Sequence, residues 1–95
     1  MFTFKKDPDA KLDFKFDWSA WLTAGESIDN YSLELFSDEE SPVVLKIDSD
    51  SNLGDSIIVW LSAGTHGVLY EARCEIETNQ NRTDERTMLI SCKDR

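Results

Sequence analysis

Apolar and polar residues alternate along most of this chain. In "KLDFKFDW" (residues 11–18) the leucine, the two phenylalanines and the tryptophan fall on one face, and the charged residues fall on the other. The same period of two recurs in "YSLELF" (31–36), "PVVLKID" (42–48), "GVLYEARCEIET" (67–78) and "RTMLISCK" (86–93), whereas "SIIVWLS" (56–62) is apolar on both faces. Alternation of this kind is typical of half-buried antiparallel strands, and a strand that is apolar on both faces is typical of a central position.

Turn-rich segments separate these predicted strands, namely "TAGES", "SDEES", "DSDSNLGDS", "SAGTHG" and "TNQNRTDE". No stretch has the period of a long amphipathic helix, and only "SAWLTAG" (19–25) could hold a helical turn. About six short strands without helices predict an all-β fold, either a small antiparallel β-sandwich or a barrel. We predict an N-terminal arm over residues 1–10 and a single β-sandwich domain over residues 11–95.

The alternation also predicts which large side chains form the core. Trp18 lies on the apolar face of the first strand and Trp60 lies in the apolar strand, so both are predicted to be buried. Trp21 follows the first strand, and it either caps the sandwich, which we favour, or stands exposed as an anchor. Cys74 and Cys92 are predicted to point inward, close to opposite each other across the 78–84 connection. Two packed thiols are favoured there over a disulfide.

The charge of the chain restricts its partners. Its 95 residues include 10 Lys and Arg against 19 Asp and Glu, for a net charge of −9. Such a surface would repel nucleic-acid phosphates and anionic lipids, so we expect neither nucleic acid nor membrane as a partner. The N-terminus lacks the apolar region of a signal peptide, which predicts synthesis in a cytoplasm. The glycosylation patterns at Asn30 and Asn81 are therefore interpreted as chance matches.

Residues that could carry catalysis are sparse. The single His66 lies between glycines in a predicted turn, where a solvated role is expected. Neighbouring carboxylates such as Glu39 with Glu40, or Asp84 with Glu85, need a cleft that shifts one pKa before they can act as acid and base. The sequence implies no such cleft, and we predict no catalytic residue and no cofactor.

The stretch "DSDSNLGDS" resembles the first half of an EF-hand calcium loop. Its sixth position is Leu53 rather than glycine, and its twelfth is Val59 rather than glutamate, so the motif is incomplete. We therefore predict no metal site and a solvated loop between strands. The residues that remain as a weak calcium candidate are Asp48, Asp50, Asn52 and Asp55.

Three stretches carry a resemblance to a known family: "KDPDAKLDFKFDWSAWL" (6–22), "VWLSAGTHGVLYEARCEIET" (59–78) and "NRTDERTMLIS" (81–91). They resemble the "KDPDA…LDY…DW..WL" opening, the "VWLSGGT.G..Y.V" strand pair and the "GRTDERSF" hairpin of small tailed-bacteriophage virion proteins, described as phage fiber-tail adaptors or tail-associated structural proteins. Ala63 stands for one glycine of the family's pair, and Asn81 stands where the family often has glycine. The middle, residues 32–52, lacks the family's "WTVPAGL"-like run.

The resemblance implies an immunoglobulin-like β-sandwich of about six to seven strands and a non-enzymatic virion protein made in the host cytoplasm. Such a protein joins tail (or head–tail) components and fibers by protein–protein contacts, so tail, portal-proximal or fiber proteins are its expected partners, and it is expected to be a homo-oligomer in the particle. The residues predicted to bind partners are Lys5, Lys6, Asp7, Asp9, Trp21, Arg82, Asp84, Glu85 and Arg86. The other hypothesis is a carbohydrate- or cell-surface-binding β-sandwich module, with Trp21 stacking on a sugar and Ca²⁺ in the acidic loop.

Overall fold

A computed structural model describes residues 2–37 and 44–93 of the chain. Within these ranges the chain forms strands, joined by turns, and no helix. The strands are β1 (Phe2–Lys6), β2 (Leu12–Asp17), β3 (Ile28–Ser37), β4 (Lys46–Asn52), β5 (Ser56–Ser62), β6 (Leu69–Thr78) and β7 (Thr83–Cys92). The described part contains no helix long and apolar enough to cross a membrane. The predicted all-β fold class is confirmed.

The strands form two sheets. One has four strands in the order β1-β7-β6-β3, and the other has three in the order β2-β5-β4. β1 runs parallel to β7, and every other neighbouring pair is antiparallel. β5 lies between β2 and β4, which is the central position that its apolar sequence predicts. This two-sheet arrangement is compatible with the immunoglobulin-like sandwich that the resemblance implies.

The core lies between the two sheets. Alternate residues of β2, β5, β6 and β7 are buried, and Phe16, Val59, Ile76 and Ile90 represent the four strands. Trp18, just after β2, has no exposed surface and packs with the same cluster. Burial of one face of each sheet against the other removes apolar surface from water, which is the main stabilising contribution in a domain of this size.

The first ten residues, for which the sequence predicts an arm, include β1. Phe2 lies opposite Met88 and Lys6 lies opposite Cys92 in the parallel ladder, so β1 is an edge strand of the four-stranded sheet. The Phe4 ring contacts Phe14 of the other sheet edge to face, with ring centroids 5.5 Å apart. β1 therefore covers part of the open side between the two sheets.

The predicted turn "DSDSNLGDS" is partly a strand, which corrects the prediction of a loop. β4 runs through Asn52 and pairs with β5 from Lys46 opposite Ser62 to Asn52 opposite Ile57. Its side chains are almost all exposed, so pairing of the backbone, rather than burial of side chains, holds this polar edge strand in place. Residues 42 and 43, at the start of the strand predicted over 42–48, lie outside the described residues. The carboxylates Glu39 and Glu40 also lie outside them.

Two predictions about the core are wrong. Trp60 is 38% exposed, because β5 directs Ile57, Val59 and Leu61 into the core and Trp60 onto the outer face. The two cysteines are buried and free, as expected, but they do not lie opposite each other. Cys74 faces Arg86 across the β6–β7 ladder, whereas the backbone N–H of Cys92, at the far end of β7, donates to Val68.

Candidate functional site

The connection between β6 and β7 is a short hairpin turn that backbone hydrogen bonds hold in place. The Thr78 N–H donates to the Arg82 carbonyl at 2.8 Å, and the Asn81 N–H donates back to the Thr78 carbonyl at 3.1 Å. Asn81 has a φ of 60°, in the left-handed region that asparagine tolerates better than most residues. Ile76 and Met88 on the flanking strands are buried, as predicted.

Arg82 joins this hairpin to the β2–β3 connection. Its guanidinium binds both carboxylate oxygens of Glu26, with Nε 2.8 Å from Oε2, and it lies over the Trp21 ring at 3.9 Å from the centroid. The same guanidinium donates to the Trp21 carbonyl at 3.2 Å. This bidentate pair with a stacked ring suits the planar, delocalised cation of arginine. One face of the Trp21 indole is consequently covered by Arg82.

The Glu26 side chain has no exposed surface and is surrounded by donors. In addition to Arg82, its carboxylate accepts from the Thr78 hydroxyl at 2.7 Å and from the Thr23 backbone N–H at 2.9 Å. The hydrogen bonds from Arg82 hold the pKa of Glu26 well below its usual range, and the same ion pair raises the pKa of Arg82. Glu26 is therefore ionised in the folded protein and fixes the turn that follows Trp21.

A second set of contacts joins β7 to the end of β2. The Trp18 indole Nε1–H donates to Asp84 Oδ2 at 2.8 Å. Arg86 lies over the Trp18 ring at 4.9 Å from the centroid, donates to the Asp17 carbonyl, and has its Nε 3.5 Å from Asp84 Oδ2. The carboxylate and the guanidinium thus hold a fully buried tryptophan from two sides and link the two sheets.

The remaining predicted site residues occupy different surroundings. Lys5 and Asp9 are exposed, and Glu85 is exposed with its carboxylate 3.6 Å from Arg73 Nε. Lys6 is only 1% exposed, and its ammonium donates to the carbonyls of Ala63 at 2.7 Å and Asp7 at 2.9 Å. The structure brings the hairpin residues and Trp21 together at one end of the sandwich, but it places the residues of β1 elsewhere.

The weak calcium candidate is split between β4 and the turn that follows it. Asp48 lies 3.7 Å from the Lys11 ammonium, and Asp50 accepts from the Tyr31 hydroxyl. Asn52 donates its amide to the Ile28 carbonyl at 2.8 Å. Across residues 2–37 and 44–93, no three His, Cys, Asp or Glu side chains form a group that could hold a metal ion.

Two non-glycine residues in the described ranges have a positive φ, and both stand where the resembled family has glycine. Ala63 has a φ of 63° and Asn81 a φ of 60°. Left-handed backbone is readily adopted by glycine, whereas a Cβ atom crowds the following carbonyl there. Glycine at these positions would suit the backbone conformation found here, which this chain adopts with alanine and asparagine.

Sequence reasoning identified Trp21 and the hairpin but missed Glu26, whose carboxylate binds Arg82 and Thr78 of the hairpin. Glu26 lies in "TAGES", a stretch that is simply turn-like by composition, and an acid in a turn is ordinarily solvated. Its partner Arg82 lies far along the chain, so periodicity holds no signal for the pair. The register of β6 and β7 determines that Arg82 reaches the turn after Trp21, and this register is known only from the fold.

The fold and these contacts define a small structural β-sandwich domain, in which paired charges and aromatic rings hold turns and sheets together. A comparison with curated proteins gives no match. The chain belongs to the family described as podophage GP4 fiber-tail adaptor protein gp77, whose sequence model matches residues 6–91. The resemblance to a phage fiber-tail adaptor family is thereby confirmed, and the chain is placed among structural proteins of the bacteriophage virion.

Proposed function

We propose that this chain is a non-enzymatic adaptor that joins tail (or head–tail) components and fibers of a podophage particle by protein–protein contacts. The observation that carries the proposal is the family match, which extends over residues 6–91 and so includes β2 to β6 and all of β7 except its last residue. We further propose that several copies act together in the particle, as a homo-oligomer in contact with tail, portal-proximal or fiber proteins.

The geometry supports this role through the braced end of the sandwich. We define this braced end as Trp18, Trp21, Glu26 and the hairpin residues 78–86. Its ion pair and stacked rings are internal to the domain, so the backbone there is already ordered before any partner arrives. A pre-ordered surface loses less conformational entropy on docking, which favours affinity and a defined angle between the joined parts.

The predicted partner-binding residues divide into two proposed roles. Trp21, Arg82, Asp84 and Arg86 shape the braced end, because each is engaged by contacts within the domain. Exposed charges contact the partner directly, and Glu85, with 47% of its side chain exposed, is the clearest of them at the hairpin.

The adaptor proposal is tested by incorporation of variants into particles. Charge reversal at Lys5→Glu and Glu85→Lys is expected to reduce the protein found in purified virions by about tenfold or more, because complementary charges steer docking. Lys46→Glu on β4 is the matched control, since Lys46 is also exposed but lies on the other sheet. Asp84→Ala with Arg86→Ala should lower both thermal stability and incorporation, whereas EDTA should change neither.

A clear result would contradict the proposal. If the wild-type protein is missing from purified particles, the chain is not a virion adaptor. If it is present and all the charge variants incorporate as Lys46→Glu does, the proposed contact residues are wrong while a structural role in the particle remains.

A further inference from the structure

The edge of β7 is covered along only part of its length. β1 begins at Phe2, opposite Met88, and pairs with β7 from there to Cys92. In the described ranges, the preceding half of β7, residues 83–87, has β6 on one side and no strand on the other. Residues 83–87 of β7 are therefore an open strand edge, on the same side of β7 on which β1 covers residues 88–92. We term this stretch the free edge.

Backbone groups of this free edge point outward. The Thr78 N–H donates to the Arg82 carbonyl at the start of the ladder. Hydrogen-bonded and non-bonded pairs alternate in an antiparallel ladder, so from Arg82 onward every second residue bonds β6. The intervening residues Thr83 and Glu85 direct their backbone groups to the side of β7 on which β1 lies farther along the strand. Outward-directed N–H and C=O groups are a template for another strand.

A groove of about 550 Å³ lies along the free edge. One wall is lined by Glu85, Arg86, Thr87 and Met88 of β7, and the other by Lys15, Phe16 and Asp17 of β2, whose Asp17 carbonyl accepts a hydrogen bond from Arg86. β2 is itself an edge strand of its sheet, since it pairs only with β5 among the described strands. Both edges of the sandwich on this side thus face one groove, whose inner part is formed by the buried Phe16 and Met88.

The neighbouring strand β1 indicates what chemistry fits the groove. Phe4 of β1 contacts the Phe14 ring while 37% of it stays exposed, and Lys5 is exposed on the other face. A strand that continued the path of β1 would place alternate side chains inward, opposite Arg86 and Asp84 and beside the buried Phe16 and Met88, where apolar groups lose contact with water. Its other side chains would lie on the outer face of the four-stranded sheet.

That outer face is acidic beside the free edge. Glu75 and Glu85 lie directly opposite each other across the β6–β7 ladder, and like charges at this distance are destabilising. Arg73 is close to Glu85, at 3.6 Å, and it also pairs with Glu71 at 3.1 Å. Basic side chains on an added strand would lie next to Glu85 and relieve this repulsion.

We propose that the free edge receives an extended segment of a partner virion protein, in which apolar residues alternate with basic ones, as an additional strand beside residues 83–87 of β7. The segment would pair with the outward backbone groups, bury its apolar side chains on Phe16 and Met88, and place its cations beside Glu85. This is the β-strand addition used in many peptide complexes. The proposal rests on the adaptor function and specifies the kind of segment that docks.

A proline substitution tests the backbone pairing. Glu85→Pro removes an N–H that β6 does not use, and proline is tolerated on strand edges when its missing N–H faces outward. We expect the variant to fold but to be incorporated into particles at least about tenfold less than wild type. Glu85→Gln, which keeps the N–H and removes the charge, should lose only about two- to fivefold. Equal incorporation of wild type and Glu85→Pro would overturn the strand addition and leave the adaptor function standing.

A peptide probe decides the matter if Glu85→Pro fails to fold. A short synthetic peptide of alternating lysine and valine is titrated into the wild-type protein, and its glutamate–valine counterpart is the control. We expect amide chemical-shift changes confined to residues 83–88 and 15–17, slower hydrogen exchange at Glu85, and at least about tenfold weaker binding of the control. Absence of lysine-peptide binding, shifts centred on another surface, or equal affinity for both peptides would overturn the proposal.

Discussion

Arginines of the β6–β7 hairpin stack on aromatic rings at three places in the described residues. The pairs are Arg73 on Phe36 at 4.4 Å, Arg82 on Trp21 at 3.9 Å and Arg86 on Trp18 at 4.9 Å. A guanidinium can lie flat on a ring while its edge donates hydrogen bonds, which a lysine ammonium cannot do. In each case the arginine also contacts a carboxylate, so charge pairing and ring stacking act on the same side chain.

Trp18→Phe tests the hydrogen bond between the buried indole and Asp84. The substitution keeps an aromatic ring but removes the Nε1–H that donates to Asp84 at 2.8 Å. We expect a loss of about 1–3 kcal/mol in the free energy of unfolding, measured by urea denaturation. Trp60→Phe is the matched control, because Trp60 is 38% exposed, and it should change stability by less than about 0.5 kcal/mol. Equal losses in the two variants would show that the Asp84 contact is unimportant.

Glu26→Gln tests the ionised carboxylate at the centre of the braced end. Arg82 lowers the pKa of Glu26 in the folded protein below the ordinary value of 4.5, so the unfolded chain takes up the proton first as the pH falls. The contribution of the carboxylate is therefore complete above about pH 4.5 and is lost progressively below it. We expect wild type to exceed Glu26→Gln in stability at pH 7, and this difference to shrink steadily as the pH is lowered from 4.5 towards 2.

The comparison for Glu26 is an exposed carboxylate on the neighbouring strand. Glu34 is exposed on β3, so Glu34→Gln should show only a small stability difference from wild type. Thermal unfolding across the same pH range measures both variants. A Glu26→Gln difference that stays constant with pH would rule out the proposed ionised pair.

At the scale of elements, two turns retain a left-handed residue that is not glycine. Ala63 follows β5 and Asn81 lies in the β6–β7 hairpin, and both have a φ near 60°. An alanine in this region is strained, whereas asparagine is accommodated more readily because its short polar side chain can bond locally. The two turns thus carry different amounts of strain although their backbone conformation is alike.

Glycine is therefore expected to stabilise these turns, and more so at the alanine. Ala63→Gly should raise the free energy of unfolding by about 0.5–1 kcal/mol, and Asn81→Gly by only a few tenths (~0.3 kcal/mol). Ala24→Gly is the control, because Ala24 is exposed in a turn without a positive φ, and it should instead lose about 0.4–1 kcal/mol. Urea denaturation of the three variants makes the comparison, and a loss at Ala63 would contradict the strain argument.

The strands that could be predicted from the sequence are those whose side chains alternate in burial. β2, β6 and β7 show the pattern directly, and β5 was placed centrally by its apolar composition. β4 was missed in part because its residues are polar on both faces, and an edge strand held by backbone pairing leaves no trace in hydropathy. The orientation of Trp60 was missed for a related reason: a strand apolar on both faces does not reveal which face meets the core.

The candidate site was predictable to a smaller extent. Trp21 and "TDER" were identified by resemblance, but their contacts could not be, because Trp18 and Asp84 meet only once β2 and β7 lie on facing sheets. Burial of Lys6 was hidden for the same reason, since its ammonium is held by the carbonyl of Ala63 from a distant turn. Alternation gives the direction in which a side chain points along its own strand, whereas the partner it meets is set by register and by the packing of sheets.

At the scale of the whole molecule, the buried thiol of Cys74 reports on opening of the sandwich. Cys74 has no exposed surface on the central strand β6, and burial raises the pKa of its thiol to about 12. A thiol reagent requires an accessible thiolate, so in a Cys92→Ala background we expect Cys74 to react only when β6 is exposed by unfolding. Labelling with a chromogenic disulfide at pH 8 should then slow in proportion to stability across the variants above. Fast labelling that ignores their stability would show that the sheets open locally at β6.

The parallel pairing of β1 with β7 has a consequence for the order in which the sandwich is built on the ribosome. β2, β4 and β5 all precede residue 63, so the three-stranded sheet can form while later residues are still inside the exit tunnel. β1 is synthesised before any of them, yet its neighbour Met88 emerges among the last of the described residues. Pairing between segments so distant in sequence is slow, because the entropy of closing a long loop is lost before the stabilising contacts form. β1, which carries the aromatic residue Phe4, therefore stays unpaired until β7 has been translated.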